Sequence, residues 1–109
     1  MKEFNGDLIL EKDTEFSESI IVYGNIRGKD NKRFNLKVKG NLNCLDLNCK
    51  DLDCLDLNCW DLDCWDLSFY AIAIAYNSFK CKSFKAIREN HIIKCLDGKV
   101  IVNGKELCE

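Results

Sequence analysis

From Asn41 to Ala86 the apolar residues recur on a five-residue beat. Leucine stands at 42, 47, 52, 57, 62 and 67, and two positions after each comes Cys44, Cys49, Cys54, Cys59, Cys64 or Phe69. A helix cannot use this period, because a step of five advances about 500° and scatters the leucines around the axis. A flat strand fails as well, since an odd period sends alternate leucines to opposite faces. A chain that bends after every unit returns Leu and Cys to the inside each time, and such periodicity marks a solenoid. The fold expected is all-β, a short parallel β-helix.

The beat then slips by two residues. Phe79 and Cys81, then Phe84 and Ala86, keep the large-x-small spacing but fall out of phase with Leu67 and Phe69. The insertion lies within residues 70–76, where Ala and Ile alternate as in a strand packed tightly on one side. Before the repeat, residues 7–10, 20–23 and 34–38 read as strands between turns containing Gly or Asn. The phrases Tyr23-Gly24-Asn25-Ile26 and Lys39-Gly40-Asn41-Leu42 suggest the starts of successive coils. After the repeat, residues 99–107 contain Asn103-Gly104, a tight-hairpin signal. The organisation expected is one domain: residues 1–40 an N-terminal β cap, 41–95 the solenoid and 96–109 a C-terminal hairpin cap.

The tract resembles the pentapeptide-repeat family, with Asn43, Asn48, Asp53, Asn58 and Asp63 matching the outward middle position of each unit. Here the large inward residue precedes the small one, the reverse of the family's usual order. The resemblance implies a right-handed quadrilateral β-helix with four units per coil. Residues twenty apart would then stack, Cys44 beneath Cys64 and Leu45 beneath Trp65. Residues 76–81 bear a fainter resemblance to small uncharacterised phage and prophage β-helix proteins.

With 109 residues, 47% of them hydrophobic and 31% charged, and with no proline, the chain suits one globular domain. No run approaches the roughly 18 apolar residues of a membrane helix, and residues 1–5 lack a signal-peptide stretch. A cytoplasmic location is expected, with reduced thiols. The net charge of −2 conceals segregation. Residues 41–70 hold seven aspartates against one lysine, whereas residues 77–94 hold four lysines and an arginine against one glutamate.

Five of the eight cysteines recur at the repeat spacing, unlike the closely paired ligands of a zinc site, and read as small buried core residues. A Cys44–Cys64 disulfide is conceivable by distance, although parallel side chains make its torsion awkward. Cys81, Cys95 and Cys108 receive no role. His91 is the single histidine, and no Ser-His-Asp or Cys-His grouping and no phosphate-cradling glycine loop occurs. No EF-hand pattern supports a calcium site. Neither an enzyme nor a cofactor is expected.

Three outward columns remain. Asp46, Asp51, Asp56, Asp61 and Asp66, with Asp53 and Asp63, form an acidic ladder. Turn chemistry explains part of it; the rest suits a negative face that imitates nucleic-acid phosphate. Leu45, Leu55, Trp60, Trp65 and Tyr70 form an apolar column, either a contact surface or a strip covered by the N-terminal segment. Lys80, Lys82, Lys85 and Arg88 form a basic face after the slip. The pentapeptide-repeat family includes gyrase-binding DNA mimics. That resemblance implies a non-enzymatic inhibitor whose acidic face, anchored by Trp60 and Trp65, fills the basic groove of a topoisomerase or CRISPR effector. A phage-encoded antagonist of host defence would have this form. Direct nucleic-acid binding and membrane association are not expected, and a homodimer is an open alternative. The competing expectation is a structural solenoid that self-associates through exposed strand edges.

Overall fold

A computed structural model describes residues 1–107; Cys108 and Glu109 lie outside the described residues. The chain is all-β, wound into a parallel β-solenoid of about six turns. The leucine register defines the coil. Leu42 pairs with Leu57, Leu47 with Leu62 and Leu52 with Leu67, so stacked residues are fifteen apart. Three pentapeptides, not four, complete each turn, and the solenoid is a three-sided prism. The expected stacking of residues twenty apart is therefore overturned: Cys44 lies beneath Cys59, and Leu45 beneath Trp60.

Each side is a column of parallel strands. The first face runs from Lys2–Phe4 through Ile20–Val22 and Leu42–Asn43 to the start of Leu57–Asp63, the start of Ile72–Cys81, and Ile92–Cys95. The second runs from Leu8–Leu10 through Ile26–Gly28 and Asp46–Asn48 to the later halves of those two long strands, then Val100–Val102. The third has five strands: Thr14–Phe16, Leu36–Val38, Leu52–Asp53, Asp66–Phe69 and Ser83–Ala86. Residues 1–40, expected as a cap, continue the repeat downward as two further coils in parallel register. At the upper end Lys105–Glu106 folds back antiparallel on Val100–Val102. Asn103 and Gly104 both take positive φ, the conformation a two-residue hairpin turn demands.

The leucines at 42, 47, 52, 57, 62 and 67 and the cysteines at 44, 49, 54, 59 and 64 are all buried. A bend after each five residues turns both inward, and the stacked leucines supply most of the core at roughly 1.5–3 kcal/mol of burial each. Cys81 stacks above Cys64 and Cys95 above Ala75, which gives both the packing role that the sequence leaves unassigned. The slip resolves into two single insertions at successive corners. One falls at Tyr70–Ala71, because Ala73 rather than residue 72 stacks on Leu57. The other falls at Tyr76–Asn77, where Cys59 pairs with Ala75 but Asp61 with Ser78. Between them Ala71, Ala73 and Ala75 face inward, while Ile72 and Ile74 are half-buried on the outside.

Two glycines close corners. A Cβ on Gly24 would stand 2.5 Å from the Gly6 carbonyl carbon, and one on Gly40 would collide with Ser19. Successive corners there approach backbone to backbone, so the Gly-Asn phrases mark corners at which only glycine fits.

Candidate functional site

Winding three units per turn distributes each sequence column over three edges of the prism. Asp46 stacks with Asp61 on the edge between the first and second faces. Asp51 and Asp66 follow the edge between the second and third, and Asp56 sits on the remaining edge. Asp53 lies on the third face and Asp63 on the second. The expected single acidic face is thus corrected: seven aspartates form a belt around the middle coils.

The apolar column divides in the same way. Leu45 and Trp60 share the first edge, where Trp60 donates its amide to the Leu45 carbonyl at 2.9 Å. Tyr76 continues that edge, its ring 6.2 Å from Trp60 in a T-shaped contact. Leu55 and Tyr70 share the third edge, and Trp65 stands alone on the second between Lys50 and Lys82. Leu45, Leu55, Trp60 and Tyr70 are exposed and Trp65 is half-buried, so the N-terminal coils do not cover them. The basic residues scatter too: Lys80 lies on the second face, Lys82 and Arg88 on different edges, and Lys85 on the third face. Lys80, Lys82, Lys85 and Arg88 therefore do not make one basic face.

Turn chemistry is present, but largely in other residues. Asp7 accepts the amide of Asn25, Asp13 that of Asn35, and Ser19 that of Asn41. One coil higher, Asn25, Asn35 and Asn41 accept the amides of Asp46, Asp51 and Asp56. Side chains from the first forty-one residues thus satisfy the corners beneath the repeat. The carboxylates of Asp46, Asp51 and Asp56 accept no hydrogen bond among the described residues, whereas Asp61 and Asp66 receive the hydroxyls of Ser78 and Ser83. Partial desolvation, with the stacked Asp61 carboxyl, raises the Asp46 pKa above the usual range.

The third face carries a shallow groove of about 630 Å³ that gathers Asp51, Asp53 and Asp66 with Asp13 and Glu15 from the lower coils. Lys37 and Lys85 stand within it, Lys37 paired to Glu15 at 3.9 Å. Asp13 and Glu15, which sequence reasoning left in the cap, join the repeat's carboxylates because the first coils share its register. A second groove of about 490 Å³ lies on the first face and is lined by Tyr23, Leu45, Trp60 and Tyr76.

The thiols of Cys49, Cys54, Cys59, Cys64 and Cys81 are buried. Burial pushes Cys49 up to about 12 and Cys81 up to about 11, and raises Cys54 and Cys64 as well. Cys59 rises through its contact with Cys44 and through burial. Such groups are neither thiolate nucleophiles nor ready metal ligands. No cluster of three or more His, Cys, Asp or Glu among the described residues has the geometry to hold a metal ion. His91 packs its ring edge-on to Phe69 and Phe84. No helix among the described residues is long and apolar enough to cross a membrane.

Comparison with known protein families, with curated proteins and with solved structures finds no match. The site must be read from its own geometry.

Proposed function

We propose that this chain is a solenoid of the pentapeptide-repeat kind that acts as a non-enzymatic binding protein. On this reading its acidic third-face groove occupies the basic nucleic-acid groove of a partner such as a topoisomerase or a CRISPR effector. The observation that carries it is the gathering of Asp13, Glu15, Asp51, Asp53 and Asp66 in one concavity. Fixed carboxylates on a rigid sheet reproduce the charge of a phosphate backbone and cost little ordering entropy on binding. The corner asparagines leave the Asp51 side chain unoccupied for such a role. Small size and a belt of seven aspartates suit a phage-encoded antagonist.

The variant that isolates the groove is Asp51→Lys, Asp53→Lys and Asp66→Lys together, because these three line it. Purified topoisomerase and CRISPR effector are each presented with wild-type and triple-variant protein, with duplex DNA as competitor. Wild type is expected to bind one of them and be displaced by DNA, with affinity falling at least a hundredfold in the variant. Equal binding by the variant contradicts the reading.

A second reading, a self-associating structural solenoid, rests on the open lower end. Among the described residues, Lys2–Phe4, Leu8–Leu10 and Thr14–Phe16 each pair with a strand on one side only, and unpaired edges are templates for further strands. Sedimentation velocity separates the two: species growing with concentration favour self-association, whereas a monomer or closed dimer favours the inhibitor.

A further inference from the structure

The edge between the second and third faces carries Asp51 and Asp66 on its acidic-groove side and a row of cations on its second-face side. Arg27 lies on the second face two coils below Asp63, and Lys80 one coil above it. From the loop that follows Ile26–Gly28, Arg33 reaches across two coils, donating to the Cys49 carbonyl at 2.9 Å and pairing with the Asp63 carboxylate at 3.2 Å. It separates two adjoining hollows. The lower, of about 200 Å³, is bordered by Arg27, Lys32 and Asn48. The upper, of about 400 Å³, is bordered by Asp63, Trp65, Lys80, Lys82 and the Asn103–Gly104 turn. Both are lined by Arg33, so they adjoin across its side chain as one strip of surface.

Within it Trp65 organises the cations. The Lys82 ammonium sits 4.0 Å from the indole centroid and the Lys50 ammonium 5.5 Å from it. Cation–π attraction restrains two long side chains that would otherwise sample many rotamers. Among the described residues no carboxylate lies within ion-pair distance of Arg27, Lys32, Lys50, Lys80 or Lys82; Arg33 alone of this set is paired. Five exposed cations without an ion-pair partner thus share one strip with Asp63, which Arg33 pairs, and Arg27 and Lys80 stand about 14 Å apart at the strand spacing of a sheet. Dispersed cations usually neutralise nearby carboxylates; cations that share a strip without doing so raise the local potential and attract a polyanion.

We propose that this strip binds the phosphodiester backbone of a nucleic acid, through Arg27, Lys32, Lys50, Lys80 and Lys82. The inference departs from the expectation of no direct nucleic-acid binding, because the fold brings Arg27 and Lys32 beside Lys80 and Lys82 from 48 to 55 residues away. It is independent of the acidic groove, since the two surfaces share no residue. Contacts of this kind are made to backbone charge and not to base edges, so binding should tolerate any sequence.

The test uses the full chain carrying Trp60→Phe, which leaves Trp65 as the sole indole reporter. A labelled single-stranded oligonucleotide, a duplex and inorganic polyphosphate are titrated separately at low salt, with anisotropy and Trp65 emission read together. Binding of both oligonucleotides with a change in Trp65 emission is expected. The affinity for the single strand should weaken with salt at a log–log slope of about −3, for roughly four or five neutralised phosphates. Lys80→Glu with Lys82→Glu should cost at least tenfold, while Lys94→Glu on the first face should cost less than twofold. Circular dichroism melts confirm that each variant is folded. Absence of oligonucleotide binding by folded protein overturns the proposal, as does an equal loss with Lys94→Glu. Binding of polyphosphate alone overturns it too. Self-association abolished by the double variant, without oligonucleotide binding, would make the strip a protein interface instead.

Discussion

At the residue scale, Leu and Cys divide the work of the core. Leucine fills the prism and cysteine fits where two walls meet near a corner, a role for a small apolar side chain that its burial and raised thiol pKa both reflect. This much was legible in the sequence, because a five-residue beat admits no other placement. The partner of each aspartate was not legible, since it depends on how many units close a turn. Asp46 illustrates the consequence. Its folded pKa is raised by partial desolvation and by Asp61, so the pair opposes folding above that pKa and the opposition fades as pH falls through it. Asp46→Asn should therefore be more stable than wild type at pH 7, by roughly a few tenths of a kcal/mol for so exposed a pair. The two proteins should converge toward pH 3. Urea titrations across this range check it, and a gap that widens on acidification would refute the stacked-carboxylate account.

At the scale of elements, the irregular segments decide which surfaces exist. The slip near residues 70–76 was visible as a phase change, but its division between two corners was not, because the pattern records only the sum. The loop at residues 29–33 carried no periodic signal, yet it delivers Arg33 to the second edge. Half-buried there, Arg33 ties the Cys49 carbonyl and the Asp63 carboxylate together across coils. Arg33→Ala should lower stability by about 1–2 kcal/mol, the scale of losing a charge-assisted bond and its packing. Arg33→Lys should recover only part of that, lacking a planar fork for two acceptors. Chemical denaturation measures both, and an unchanged midpoint for Arg33→Ala would show that the loop is not pinned there. The hairpin, by contrast, was read from Asn103-Gly104 alone, since positive φ at both residues is a local requirement.

For the whole molecule, the three-unit turn accounts for where chemistry gathers. A four-unit turn would keep Leu45 under Trp65 and Asp46 under Asp66. A three-unit turn instead creates an aromatic edge at Leu45 and Trp60, a cation-lined edge around Trp65, and an acidic groove on the third face. Six coils at about 4.8 Å each, together with the folded-back hairpin, account for the 35 Å long dimension. The solenoid class was readable from periodicity alone. The coil length was not, because Leu-x-Cys units pack equally well inside a prism of three or four sides, and the choice rests on corner geometry and stacking between coils.

Coil length is thus the claim on which every surface assignment depends, and scalar coupling across backbone hydrogen bonds reads it directly. In uniformly labelled protein, the Trp65 amide nitrogen should couple to the Lys50 carbonyl carbon, its acceptor at 2.7 Å, and the Trp60 nitrogen to the Leu45 carbonyl carbon. Coupling of Trp65 to Leu45, twenty residues back, would contradict the three-sided solenoid and every edge derived from it.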